Sequence, residues 1–239
     1  MWIIIMDINI YKTSDELAEN LANHIISNYL NNNIALSGGS TPLKLFKVLS
    51  KKLDKLENKM KFYWVDERCV PPESDDSNYK MAESFLFNSK KINRENIYRI
   101  KGENQPSEEV TRYSKTLRNN LDLVGNIPCF DLVILGLGDD GHTASIFPYE
   151  LNKFKNESDC VVATHPTSGQ KRISLSEKII NNSKEIIFHV SGHGKKNIVD
   201  EIINKRGDYE KYPASHIKPN SGGKISWYLD FEAADNLTK

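Results

Sequence analysis

Leu17, Leu21, Ile25 and Tyr29 recur at every fourth position behind Thr13-Ser-Asp-Glu16, a segment that fits a helix-capping box. That spacing predicts an amphipathic helix running to about Leu30. Further helices are predicted over Leu43–Leu49, from Ser77-Asn-Tyr79 through Leu86, over Glu108–Leu121 and over Lys195–Ile203. Pro42 stands where a first-turn proline is tolerated. Short apolar stretches between them read as strands: Ile34–Leu36, Phe62–Val65, Leu132–Leu135, Cys160–Ala163, Arg172–Leu175, Ile186–Val190 and Ile225–Leu229. The opening Met1-Trp-Ile-Ile-Ile-Met6 reads as a first strand. The Lys- and Asn-rich stretches at 51–61 and 152–158 read as solvated connections. Strands alternating with helices make the chain α/β, with a mainly parallel sheet covered by helices on both faces.

No repeat, Pro/Gly/Ser-rich linker or composition shift divides the 239 residues, so residues 1–239 are expected to form one domain with a sizeable core. Lys plus Arg and Asp plus Glu each total 32. A duplex-binding protein would show a basic excess, so any anionic ligand must be held by a local cluster instead. Met1–Met6 is too short for a signal-peptide core or a membrane span. Cys69, Cys129 and Cys160 are odd in number and lack metal-ligand spacing. The expectation is a cytoplasmic protein, monomer or homodimer, with neither a nucleic-acid nor a membrane partner.

Chemistry concentrates where strands end. Gly136-Leu-Gly-Asp-Asp-Gly-His-Thr-Ala-Ser-Ile-Phe-Pro148 directly follows the apolar run ending at Leu135 and is expected to open into a helix. Open α/β sheets bind ligands at the carboxyl ends of their strands. His142 there is a candidate general base, and Asp140 a carboxylate able to fix its tautomer. Gly136, Gly138 and Gly141 match G-x-G-x-x-G, but Asp139 and Asp140 would stand where a pyrophosphate must approach. The next strand ends in Ala163-Thr-His165, without the acid that holds a ribose.

A second turn, Ser37-Gly-Gly-Ser-Thr-Pro42, follows another strand and precedes a helix. Gly38, Gly39, Ser40 and Thr41 are therefore a candidate phosphate cradle, although a plain capped turn would look the same. Asp66-Glu-Arg68 gathers charge at a strand end, and Arg68 could serve a phosphate or pair with Asp66. Lys195, in Ser191-Gly-His-Gly-Lys-Lys196, sits near a helix start, where the dipole disfavours a cation unless an anion joins it. Arg172 is a possible second phosphate ligand. His189 and His193 are four apart, but the chain turns between them, against a zinc pair.

These pieces together resemble the 6-phosphogluconolactonases, in the superfamily shared with glucosamine-6-phosphate isomerases. The likeness covers Leu36–Pro42, Trp64–Pro71 with Ser77-Asn-Tyr79, Gly136–Pro148, Arg172–Leu175, Val190–Lys195, Pro213–Ile217 and Trp227–Asp230, in family order. It implies a Rossmann-like sheet and a hydrolase of 6-phospho-D-glucono-1,5-lactone in the oxidative pentose phosphate pathway, with no cofactor and no metal. By position it implies His142 as base, Asp140 as its acid neighbour, and Gly38, Gly39, Ser40, Arg68, Arg172 and Lys195 on phosphate and sugar. The related isomerases carry a glutamate five residues after this histidine. Phe147 stands there, and a lactone needs only one base and a water. An aminosugar-phosphate isomerase or deaminase, a non-catalytic sugar-phosphate sensor and an NAD enzyme are the alternatives.

Overall fold

The computed structural model describes residues 6–89, 91–154, 158–220 and 222–237. The expected strand at Met1–Met6 therefore lies outside the described residues up to position 5, and the first described strand, β1, is Met6–Tyr11. The others are β2 (Asn33–Leu36), β3 (Lys61–Trp64), β4 (Asp66–Arg68), β5 (Ile97–Tyr98), β6 (Asp122–Val124), β7 (Ile127–Cys129), β8 (Leu132–Leu135), β9 (Cys160–Thr164), β10 (Lys171–Leu175), β11 (Glu185–Val190) and β12 (Lys224–Asp230). The helices are α1 (Ser14–Tyr29), α2 (Ser40–Leu53), α3 (Asn78–Phe85), α4 (Pro106–Asn120), α5 (Leu151–Phe154), α6 (Glu177–Asn181), α7 (Lys196–Asn204) and α8 (Phe231–Ala234).

Seven strands make one parallel sheet in the order β1-β12-β11-β8-β2-β3-β5. All four residues of β8 are buried, as are all six of β11, the continuous burial that helices on both faces produce. The expected α/β architecture is the observed one. From β2 the chain winds outward through β3 to β5, and from β8 outward through β11 to β12. The order reverses between β2 and β8, which makes their carboxyl ends the topological switch point.

Local chemistry sets the helix starts. The Thr13 side chain accepts from Glu16 N at 3.1 Å and caps α1, while Leu17, Leu21 and Ile25 turn into the core. No helix among the described residues is long and apolar enough to cross a membrane.

Three local expectations are corrected. Strands β9 and β10 lie outside the central sheet: β10 pairs antiparallel with β4 on one side and β9 on the other, in a separate three-stranded sheet. Asp66-Glu-Arg68 is itself a strand and not a loose strand end. No helix follows the Gly136 turn directly. Ala144 has φ of 50°, which breaks helical continuation, and residues 143–146 close an isolated bridge before a short turn at Pro148–Glu150.

Candidate active site

Three loops, those leaving β2, β8 and β11, meet over the switch point beside Asp66 and Arg68 of β4. Their residues line one cavity of about 230 Å³, together with α3 and Arg172 of β10. That volume is below the range of roughly 300–1,000 Å³ of drug-sized ligand sites and suits a small ligand. Gly38, Gly39, Ser40, Thr41, Asp66, Arg68, His142, Arg172 and Lys195 all line it. Asp140 does not; it stands behind the imidazole.

His142 reaches the cavity from the loop after β8. Its Nδ1 lies 2.6 Å from Asp140 Oδ1, which also accepts from His142 N at 3.1 Å. Burial acts to raise the Asp140 carboxyl, but hydrogen bonds and charge from His142 outweigh it and hold it below its ordinary value. An ionised carboxylate only accepts, so Nδ1 carries the proton and Nε2 presents a lone pair. The ring also packs on buried Phe147, centroids 4.8 Å apart.

The glycines of this turn make room for the imidazole. A Cβ at Gly138 would come within 2.0 Å of His142 Nδ1. Gly141 has φ of 79°, and a Cβ there would strike the Tyr212 ring at 2.4 Å. The G-x-G-x-x-G spacing thus serves the histidine and its supporting wall.

Across the cavity the charge is positive. Arg68 and Arg172 are register partners on β4 and β10, two guanidinium groups side by side. The Nε–H of each is buried without a hydrogen-bond partner. Burial lowers the Arg172 pKa, and Arg68 adds to the effect. Such a pair with orphan donors is an arrangement that an anion completes. Arg68 is braced by a bond from Nη1 to Asp76 O at 2.6 Å, and Arg172 by the Phe147 ring, 5.7 Å from its Cζ. Lys195 contacts exposed Asp139 at 2.5 Å, a surface pair that contributes little and that an incoming anion can displace.

At Gly39, φ of 103° turns the chain so that α2 starts without a side-chain cap. Its first N–H groups and the positive end of its dipole are left toward the cavity. Thr41 Oγ1 accepts from Ser191 Oγ at 3.4 Å, joining the β2 and β11 loops.

Sequence reasoning assigned no role to Asn78 and Glu67. Strand β4 alternates, so Asp66 and Arg68 share the cavity face and Glu67 points away. Glu67 accepts from Asn78 N and Tyr79 N, each at 2.8 Å, and from Ser77 Oγ at 3.1 Å. It caps α3 against β4, although burial raises its pKa more than these donors lower it. Asn78 then meets Asp66 and Gly38 inside the cavity. Only its place in Ser77-Asn-Tyr79 marked it in the sequence. Asp66 also accepts from Ser145 Oγ.

His189 is buried in β11, apart from exposed His193, so the two do not converge. Among the described residues no group of three or more His, Cys, Asp or Glu is placed to hold a metal ion.

Residues 10–227 match the family model of glucosamine-6-phosphate isomerases/6-phosphogluconolactonase. The 6-phosphogluconolactonase of Haemophilus influenzae is 41% identical over 228 residues, 92% of this chain and 95% of that protein. That of Treponema pallidum is 41% identical over 173 residues, 72% of each chain. The solved structure of 6-phosphogluconolactonase from Trypanosoma brucei superposes with a TM-score of 0.86 at 29% identity, covering 98% of this chain and all (100%) of that one.

Proposed function

The chain belongs to the glucosamine-6-phosphate isomerase/6-phosphogluconolactonase family, and we propose that it hydrolyses 6-phospho-D-glucono-1,5-lactone to 6-phospho-D-gluconate, the second step of the oxidative pentose phosphate pathway. The observation that carries this is one cavity with an oriented imidazole on one wall and paired guanidinium groups on another. Phe147 five residues after His142, where the isomerases carry glutamate, supports hydrolysis over ring opening.

The chemistry follows from the geometry. Neutral His142 takes a proton at Nε2 from a water as that water attacks C1 of the lactone. Asp140 holds the ring in the competent tautomer and stabilises the imidazolium. Donors of the cavity wall meet the charge on the carbonyl oxygen. The imidazolium returns its proton to the ring oxygen as the C1–O bond breaks. One positioned base contributes about 10²- to 10⁴-fold, which suffices for a lactone that hydrolyses unaided.

The phosphate is remote from the reacting bond. Arg68, Arg172, Lys195 and the turn of Gly38, Gly39, Ser40 and Thr41 hold it and the sugar, with Asp66 beside them. Their binding energy positions C1 over the imidazole. Residues 1–239 act as one functional domain, in the cytoplasm. The test is a coupled assay with lactone made freshly in the cuvette, beside an enzyme-free control. Product formation above the control supports hydrolysis, and ammonia release from glucosamine 6-phosphate would point to the aminosugar alternative.

A further inference from the structure

Asn78 is 2% exposed, yet it lines the cavity. Its backbone is pinned where Asn78 N donates to Glu67 Oε1 at 2.8 Å. Its side chain is pinned where Nδ2 donates to Asp66 O at 3.0 Å and to Asp66 Oδ1 at 3.5 Å. A carboxylate and a carbonyl accept only, so they fix which end of the amide faces them. Oδ1 is turned the other way, against Gly38: a Cβ at position 38 would sit 1.8 Å from it. Oδ1 has no hydrogen-bond partner among the described residues and is not sealed from solvent. The opening that this buried residue lines is the cavity.

We propose that Asn78 Oδ1 accepts a hydrogen bond from a ring hydroxyl of the substrate, making Asn78 a specificity-determining residue that selects a polyhydroxylated ring over a deoxygenated one. The inference rests on the sugar-lactone function above and deepens it. An amide tied through Nδ2 to buried Asp66, on a backbone tied to buried Glu67, does not swing away when the hydroxyl is missing. A deoxy ring therefore leaves it desolvated and unpaired, the condition under which hydrogen-bonding sites discriminate most. The glycine at 38 gives the amide its place, so the turn beside α2 serves sugar recognition as well as phosphate.

Two measurements on wild type, Asn78→Ala and Asn78→Ser test this, with thermal unfolding as the control for folding. The first is calorimetric binding of 6-phosphogluconate and, separately, of inorganic phosphate. The variants are expected to weaken phosphogluconate binding about 5-fold or more, the scale of one neutral hydrogen bond, and to leave phosphate binding within about 2-fold. Equal loss for both ligands, or no loss, overturns the proposal. The second is kcat/KM on 6-phosphogluconolactone and its 2-, 3- and 4-deoxy analogues. Wild type is expected to lose about 10-fold or more on one analogue, and Asn78→Ala to be nearly indifferent between that analogue and the full substrate. A uniform penalty across all four lactones overturns it. If wild type binds phosphogluconate through Asn78 but turns over none of the lactones, hydrolysis falls and the recognition role stands.

Discussion

Arg68 and Arg172 face each other across neighbouring antiparallel strands, each with a buried Nε–H that no protein group accepts. Like charges directly opposite one another destabilise a sheet, so the pair is retained against the stability of the empty protein.

Arg172→Met should therefore separate stability from binding. The variant is expected to unfold at the same temperature as wild type or higher, while KM for the lactone rises about 10-fold or more and kcat changes less. Millimolar phosphate should raise the unfolding temperature of wild type and not of the variant. Thermal scans with and without phosphate, beside steady-state kinetics, check both halves.

Gly138→Ala drives a methyl group into the space of His142 Nδ1, where the gap would be 2.0 Å. The loop is at the surface, so the fold is expected to survive while the imidazole turns away from Asp140. Activity should fall by about 10²-fold or more with little loss in unfolding temperature. Heteronuclear NMR of the His142 ring reports the displacement.

Asp140→Asn removes the carboxylate that fixes the tautomer. A loss of about 10²-fold or more in kcat is expected. Hydrogen bonds and charge from His142 outweigh burial and hold the Asp140 carboxyl below its ordinary value, so the acid is ionised near neutral pH. Protonation of Asp140 therefore does not shape activity between pH 5 and 8. The variant should lower the height of the pH–rate profile without abolishing its acid limb.

The helices and central strands were legible because their burial is periodic or continuous: Leu17, Leu21 and Ile25 in α1, or Leu132–Leu135 in β8. The two glycine turns and His142 were legible because glycine after an apolar run marks the carboxyl end of a strand. Strand β4 was not, since three charged residues carry no strand pattern and its pairing comes from β10 far along the chain. The left-handed Ala144 that stops a helix after His142 has no local signal either. Asn78 reads as an ordinary helix-start residue until Asp66 and Gly38 are brought beside it.

His189 contributes to the response to acid. Burial alone depresses its pKa from 6.5 to about 3, and its Nδ1 has no partner. Between those values the unfolded chain binds the extra proton and the folded one does not, so stability falls as pH drops. From pH 7.5 to 4.5 wild type should lose about 2–3 kcal/mol more than His189→Leu, the linkage expected of a single imidazole kept neutral. Urea unfolding at the two pH values measures the difference.

Turnover of freshly generated 6-phosphogluconolactone by His142→Ala, with spontaneous hydrolysis subtracted, bears most directly on whether this imidazole is the base. The expected result is a fall in kcat of about 10²- to 10⁴-fold, with the unfolding temperature and phosphogluconate affinity of wild type retained. Near-normal turnover in a folded variant would contradict it.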